Sequence, residues 1–132
     1  MFKSSESYGP ELITNSSFDT SDDWTASGTG TSVIGSGVAT ITKGPNANQE
    51  AQQSLTLVSG ADYLLAVDCQ SIDSVWKAFL SGREAFGFIN KTGLVSAVIA
   101  APAASVNFRL VVGGLAGSVG VFNSASLRRV LS

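Results

Sequence analysis

The large hydrophobic residues of this chain recur at every second position, which is the spacing of a β-strand with one buried face. The clearest run is 106–112, where valine, phenylalanine, leucine and valine alternate with other side chains. The segments 52–58 and 63–70 alternate in the same way and are joined by a short polar turn. At 35–37 the sequence Gly-Ser-Gly separates two further strand-like runs, and it predicts a tight hairpin because such turns need positive φ angles. The pattern indicates strands throughout.

One segment lacks the alternation. Residues 94–101 read Leu-Val-Ser-Ala-Val-Ile-Ala-Ala and are almost continuously apolar. Such a run is typical of a strand that is buried on both faces or that lies in the middle of a sheet. It is too short to cross a membrane, which takes about 20 apolar residues, and Pro102 follows it.

The runs repeat at intervals of roughly 8–12 residues with glycine-containing turns between them, and no stretch has a helical period. This spacing predicts an all-β fold, which we expect to be a jelly-roll β-sandwich of about 8–10 antiparallel strands. Residues 11–132 would form one domain. Residues 1–10 are mostly polar and end at a Gly-Pro pair, so they predict an extended N-terminal arm. Its two aromatic residues, Phe2 and Tyr8, are candidates for contact with a partner protein.

The composition is poor in charge. Only 14% of the 132 residues are charged, against about a quarter in an ordinary globular domain. Either the surface consists of small polar residues, or much of it is an assembly interface. The net charge of −2 argues against nucleic acid as a partner. No apolar segment suggests a membrane span or a signal peptide, so we expect no membrane partner and no secretory route.

The sequence lacks the residues of the common catalytic sites. It contains no histidine, which removes the most frequent general base and most catalytic zinc sites. The single cysteine, Cys69, excludes an internal disulfide and lies in an apolar strand pattern, as a small buried residue would. Most acidic residues fall in turns, where solvation is their usual role. We therefore expect a protein that is not an enzyme and has no cofactor.

Sugar binding requires an exposed aromatic side chain with polar groups around it. Trp76 is the best candidate, with Arg83 close in sequence as a polar partner. The pattern around Trp76 leaves its direction open, and the same residue could equally lie in the core or at a protein interface. Trp24 is expected to anchor a loop.

Three motifs resemble the carbohydrate-binding-module-like, galactose-binding-like jelly rolls. The first is 12–19, Leu-Ile-Thr-Asn-Ser-Ser-Phe-Asp, followed by Trp24; the glycine usual in the family is Ser16 here. The second is 55–63, a strand that ends in a glycine turn before Tyr63. The third is the closing segment 122–127, Phe-Asn-Ser-Ala-Ser-Leu. They occur in the family's order and span nearly the whole domain.

The resemblance implies a weak structural calcium site at Asp19 and Asn123, because the family usually has a carboxylate where this chain has Asn123. It also implies a role in bacteriophage particles, where such modules occur as capsid decoration proteins and tail-fibre parts. Our first hypothesis is a non-enzymatic decoration (cement) protein of the virion, which binds the major capsid protein on the capsid exterior as a homo-oligomer, by analogy a trimer. The alternative is a carbohydrate-binding module or tail component that attaches to host glycans.

Overall fold

The computed structural model describes residues 7–131, so Phe2 lies outside the described residues. These residues form ten strands. In chain order the strands are β1 Thr25–Ser27, β2 Thr31–Gly35, β3 Val38–Thr42, β4 Gln49–Thr56, β5 Asp62–Ile72, β6 Val75–Leu80, β7 Arg83–Glu84, β8 Gly93–Ala100, β9 Ser105–Gly113 and β10 Val119–Arg129.

The strands form two five-stranded sheets. The first sheet has the order β1-β4-β9-β6-β7, and the second has the order β2-β3-β10-β5-β8. All neighbouring strands are antiparallel. The two sheets pack face to face, so the all-β jelly-roll sandwich expected from the sequence is confirmed.

The alternating runs place one face of each sheet in the core. In β9, Phe108 and Leu110 are fully buried between the sheets, while Asn107 and Arg109 point away from the core. Burial of such side chains contributes roughly 1.5–3 kcal/mol each, which makes this alternation the main source of stability. The largest fully buried side chains come from both sheets and from the loop before β1: Phe18, Ile41, Tyr63, Leu65, Trp76, Leu80, Phe108, Leu110, Phe122 and Leu127.

The prediction for 94–101 is wrong. The segment forms β8, which pairs with β5 alone among the described strands and is the last strand of the second sheet. Leu94 and Val98 are 72% and 55% exposed, so the strand is buried neither on both faces nor in mid-sheet. Its continuous apolar sequence therefore lies on the surface.

The motif at the start of the domain joins the N-terminal segment to the last strand. Leu12 N–H donates to the carbonyl of Leu127, and Ala125 N–H donates to the carbonyl of Ser16. Phe18 enters the core with no exposed surface. The motif therefore closes one end of the sandwich.

Two features of the loop before β1 come from Asn15. Its side-chain amide donates to the carbonyls of Thr20 and Asp22, at 2.8 and 2.9 Å. Its backbone carbonyl accepts a 3.1 Å hydrogen bond from Trp24 Nε1. The Trp24 ring lies 5.3 Å from Phe18, so it anchors the loop, as predicted.

Residues 7–10 lie along the end of β10. Gly9 N–H donates to the carbonyl of Arg129, and Leu131 N–H donates to the carbonyl of Ser7. The Arg128 guanidinium lies 5.9 Å from the centre of the Tyr8 ring. Contact between the N-terminal arm and a partner protein stays a prediction. Within residues 7–131, no helix is long and apolar enough to cross a membrane.

Candidate functional site

Trp76, the sequence candidate for sugar stacking, is a core residue. Its side chain is 0% exposed, and its ring makes edge contacts with Phe86 and Phe122 at 5.3 Å. The indole Nε1 donates to the carbonyl of Lys91 at 2.9 Å, so its polar group is satisfied inside the protein. The carbohydrate role of Trp76 is therefore wrong, because a buried ring presents no face to a ligand.

The register of β6 identifies the residues that face outward instead. Trp76, Ala78 and Leu80 point into the core, so the intervening Lys77 and Phe79 lie on the outer face of the first sheet. Phe79 is paired with Arg109 of β9, which in turn is paired with Gln52 of β4. Side chains of three adjacent strands thus meet on one surface.

Cations and aromatic rings alternate across this outer face. The Lys77 ammonium lies 4.5 Å from the ring centre of Phe88 and 5.1 Å from that of Phe79. The Arg109 guanidinium lies 5.6 Å from the ring centre of Phe79. We call Phe88, Lys77, Phe79 and Arg109 the cation–aromatic row. Each cation lies within the distance at which a ring's electron-rich face attracts it.

Phe88 reaches this face because the segment after β7 returns along β6. Trp76 and Ile89 exchange backbone hydrogen bonds of 2.9 and 3.0 Å, which fix the segment beside the strand. Phe88 then lies over Gly113, where a Cβ atom would approach its ring to 2.8 Å. Glycine at this position makes room for the ring, which keeps 42% of its surface exposed.

Two carboxylates balance the two cations of the row. Glu84 accepts a 2.6 Å bond from Lys77, and Glu50 lies 3.7 Å from Arg109 Nε. The second distance is too long for a hydrogen bond. Within residues 7–131, Arg109 Nε is a buried donor with no hydrogen-bond partner.

Further polar side chains extend the surface beyond Arg109. Ser54 Oγ donates a 2.9 Å hydrogen bond to Asn107 Oδ1, and Gln52 lies beside them on β4. These side chains can donate and accept hydrogen bonds, as the hydroxyl groups of a sugar require. The surface therefore combines the exposed ring of Phe88 and the partly buried ring of Phe79 with amide, hydroxyl, carboxylate and cationic groups. It holds no histidine or cysteine that could act as a nucleophile or base.

The other sequence candidates lie elsewhere. Arg83 is exposed on β7, and its Nη1 donates to the carbonyl of Ala100 at the edge of β8, so it is separate from the cation–aromatic row. Asp19 is exposed and accepts a hydrogen bond from Ser17 at 2.9 Å, while Asn123 belongs to β10. Among residues 7–131, no group of three or more His, Cys, Asp and Glu side chains could hold a metal ion. The calcium site at Asp19 and Asn123 stays a prediction.

A cavity of about 270 Å³ opens beside Trp24, where β1 and β2 meet. Ser21, Thr25 and Ser32 contribute hydroxyl groups to its lining. The indole itself is held by Phe18, Phe108 and the Asn15 carbonyl. The cavity is less suited to an extended ligand than the open row on the first sheet.

The sequence carried a signal for part of the row. Once Trp76 is placed in the core, the alternation of side chains along a strand puts Lys77 and Phe79 on the opposite face of β6. The alternation along β9 puts Arg109 on the same outer face. No such pattern predicts the position of Phe88, because this residue lies in an irregular segment whose path depends on pairing with Trp76.

Comparison with known proteins defines the fold. No protein-family model matches the chain, and no curated protein matches it. Among solved structures, a family 4 carbohydrate-binding module (CBM4) aligns with 89% of this chain and 99% of its own, at 14% identity and a TM-score of 0.62. TmCBM61, solved with β-1,4-galactotriose, aligns with 92% of this chain and 99% of its own, at 17% identity and a TM-score of 0.62.

The enzymatically active domain of tailspike protein 4 of bacteriophage CBA120 also matches, at 14% identity and a TM-score of 0.62. The match covers 92% of this chain and 21% of the tailspike chain. The chain thus has the jelly-roll fold of carbohydrate-binding modules, a fold that also occurs within a phage tailspike.

Proposed function

We propose that this protein is a non-catalytic carbohydrate-binding domain that holds a glycan on the outer face of its first sheet. The cation–aromatic row is the observation that carries the proposal. Phe88 offers an exposed aromatic surface on which the apolar C–H face of a sugar ring can pack, and the partly buried Phe79 ring lies beside it on the same face. The groups around them can bond to the ring's hydroxyls, which is the combination of apolar contact and few placed polar groups found in ligand sites.

The charges of the site indicate the class of glycan. Lys77 and Arg109 are balanced by Glu84 and Glu50, so the surface has no net charge to attract an acidic polymer. We therefore propose a neutral polysaccharide or oligosaccharide. An open sheet face, without an enclosing pocket, suits a chain of sugars better than a single one. Binding to a neutral ligand should change little with salt concentration.

The fold likeness supports the proposal. TmCBM61, whose structure includes a β-1,4-linked galactose trimer, has the same arrangement of strands over nearly the whole of both chains. At 17% identity this likeness supports the class of ligand and does not identify the sugar. The absence of histidine from the sequence fits a binding role without catalysis.

The test is glycan binding by matched variants. After a glycan array has identified a ligand, we expect the double variant Phe79→Ala/Phe88→Ala to bind it at least about tenfold more weakly, a loss of about 1.4 kcal/mol. Leu115→Ala is the control, because Leu115 is 78% exposed and lies outside the row. Thermal melting of each variant checks that the fold is retained. If the double variant binds like the wild type, the row is not the site; if the wild type binds no glycan, the function itself is wrong.

The setting we propose is a bacteriophage particle, in which the domain would serve as a tail component. The tailspike likeness supports a tail, and the low charge of the chain suits a protein with large interfaces. Capsid decoration, with the major capsid protein as partner, remains the second candidate. It is favoured by the aromatic residues of the N-terminal arm, of which Tyr8 is described. Addition of the purified protein to empty capsids and to isolated tails distinguishes the two.

A further inference from the structure

Four strands end the two sheets in the described part of the chain, and three of them are short. The strands β1, β7 and β2 have three, two and five residues, while β8 has eight. Long edges are normally protected by a charged residue, a proline or a bulge, because their free backbone groups invite pairing. β8 has none of these. No charged residue occurs between Lys91 and Arg109, and the pairing of β8 with β5 runs without a register shift.

The backbone groups available on this edge follow from the hydrogen bonds at its end. Ala101 N–H donates to the carbonyl of Ala61, and the Ala101 carbonyl accepts from Gly60, so Ala101 faces the side of β5. Because consecutive residues of a strand direct these groups to opposite sides, the even-numbered residues of β8 face away from β5. One of them is occupied, since the Ala100 carbonyl accepts a 3.1 Å hydrogen bond from Arg83. Among residues 7–131, Leu94, Ser96 and Val98 therefore form the free edge.

The edge formed by these three residues is complementary to the same edge of a second copy of the chain. If two copies of β8 run antiparallel about a twofold axis at Ser96, each Leu94 lies opposite a Val98 and the two Ser96 residues lie opposite each other. Each of the three pairs would exchange two backbone hydrogen bonds, as opposed residues of this type do in antiparallel sheets. A shift of the register by one pair in one direction would bring in Ala100, whose carbonyl is occupied, and a shift in the other direction would oppose Val98 to Thr92, which lies outside β8. The register about Ser96 is therefore the one that uses all the free groups.

The side chains suit the same pairing. Leu94 and Val98 are 72% and 55% exposed on the outer face of the second sheet, and the pairing would place them against each other twice. Cross-strand contacts of this kind are the units that stabilise a sheet. No charged side chains of the free edge would be opposed. In the single chain these apolar side chains are exposed to water, and pairing of the two β8 strands would cover them.

From this arrangement we propose that β8 is a docking edge for a second copy of the chain. Two β8 strands pair about a twofold axis at Ser96, and the two second sheets become one continuous ten-stranded sheet. The interface lies on the second sheet, away from the cation–aromatic row of the first. The inference is therefore independent of the proposed glycan binding. Because a strand pair buries a small area, the dimer should be weak and concentration-dependent.

Charge at the centre of the interface gives the main test. Sedimentation of the wild type between about 1 μM and 1 mM should show a species with twice the 13.5 kDa mass of one chain. Ser96→Lys and Ser96→Glu each place like charges directly opposite one another, so each variant alone should be monomeric. An equal mixture of the two should restore the dimer, because opposite charges then face each other. Thr31→Lys, on the short edge strand β2 of the same sheet, is the control and should dimerise like the wild type.

Cross-linking tests the register. Opposed residues in such a pair have Cβ atoms about 5 Å apart, so Ser96→Cys should be joined to its own copy by a short thiol-reactive cross-linker. Leu94→Cys should not be, because its two copies would lie about 13 Å apart along the strands. Cys69 gives no background, since it is buried and its thiol has a pKa raised to about 11.

The proposal would be overturned by a wild type that stays monomeric at every concentration, by a Ser96→Lys variant that associates like the wild type, or by an assembly of three chains. Melting curves that match that of the wild type show that both variants keep the fold. Failure of their mixture to associate would then also overturn the proposal.

Discussion

In the loop before β1, Asn15 combines a strained backbone with three side-chain hydrogen bonds. Its φ angle is 52°, in the left-handed region that asparagine tolerates better than most residues. Its amide group donates to two carbonyls, and its Oδ1 accepts a 3.2 Å bond from Thr20 N–H. The loop therefore depends on this side chain for its shape.

Replacement of Asn15 separates the two effects. Asn15→Gly removes the three hydrogen bonds and accepts the positive φ angle. Since the bonds are exposed to solvent, each is worth about 0.5–0.7 kcal/mol, and the expected loss is about 1.5–2 kcal/mol. Asn15→Ala loses the same bonds and adds about 1 kcal/mol, because an L-residue with a Cβ atom is strained in this conformation. The alanine variant should therefore be the less stable of the two.

Urea unfolding followed by tryptophan fluorescence measures both variants, since Trp24 Nε1 is bonded to the Asn15 carbonyl. Asn46→Ala, in another exposed loop, is the control and should lie within about 0.5 kcal/mol of the wild type. Equal stability of Asn15→Ala and Asn15→Gly would refute the strain argument. A loss below about 0.5 kcal/mol in both would refute the role of the hydrogen bonds as well.

Two further predictions concern buried groups. Trp76→Phe should lower the free energy of unfolding by about 2–4 kcal/mol, because the Lys91 hydrogen bond is lost and the smaller ring leaves a cavity. The glycan affinity of the folded protein should not change. Calorimetry measures the stability and a binding titration the affinity, and weaker glycan binding would contradict the assignment of Trp76 to the core alone. For Cys69, burial raises the pKa of the thiol from 9.0 to about 11, so the neutral thiol favours the folded state. Because the unfolded thiol ionises first, this stabilisation is present below about pH 9 and lost as the pH rises toward about 11, and Cys69→Ala should lack this part of the pH dependence of the melting temperature.

The comparison of β9 with β8 shows how far the sequence predicts this fold. β9 lies between two neighbours with one face in the core, so its period-two pattern records its environment directly. β8 is apolar throughout although Leu94 and Val98 face solvent, so hydrophobicity alone placed it in the interior. Local sequence reports how apolar a strand is; whether a neighbour covers it is decided by topology or by a partner.

The candidate site shows the same limit. The direction of Trp76 was open because apolar or aromatic residues, Val75 and Phe79 among them, occur on both faces of β6. Burial of the indole against Phe122 of the opposite sheet settles the direction, and that contact joins residues far apart in sequence. The motifs at 12–19 and 122–127 predicted the fold because they form the hydrogen bonds that close it. They carry no information about the outer face of the first sheet, where the proposed site lies.

The strand order also determines when the chain can fold. β9 and β10, the last two strands in the sequence, occupy the central position of the first and second sheet. Until both have left the ribosome, β4 and β6 lack the strand between them, and so do β3 and β5. Neither sheet can close during synthesis of the first hundred or so residues, and the pairings that complete it are distant in sequence and slow to form. The nascent chain therefore carries its apolar β8 segment without a finished fold, and we expect its yield in cells to depend on chaperones that cover such segments.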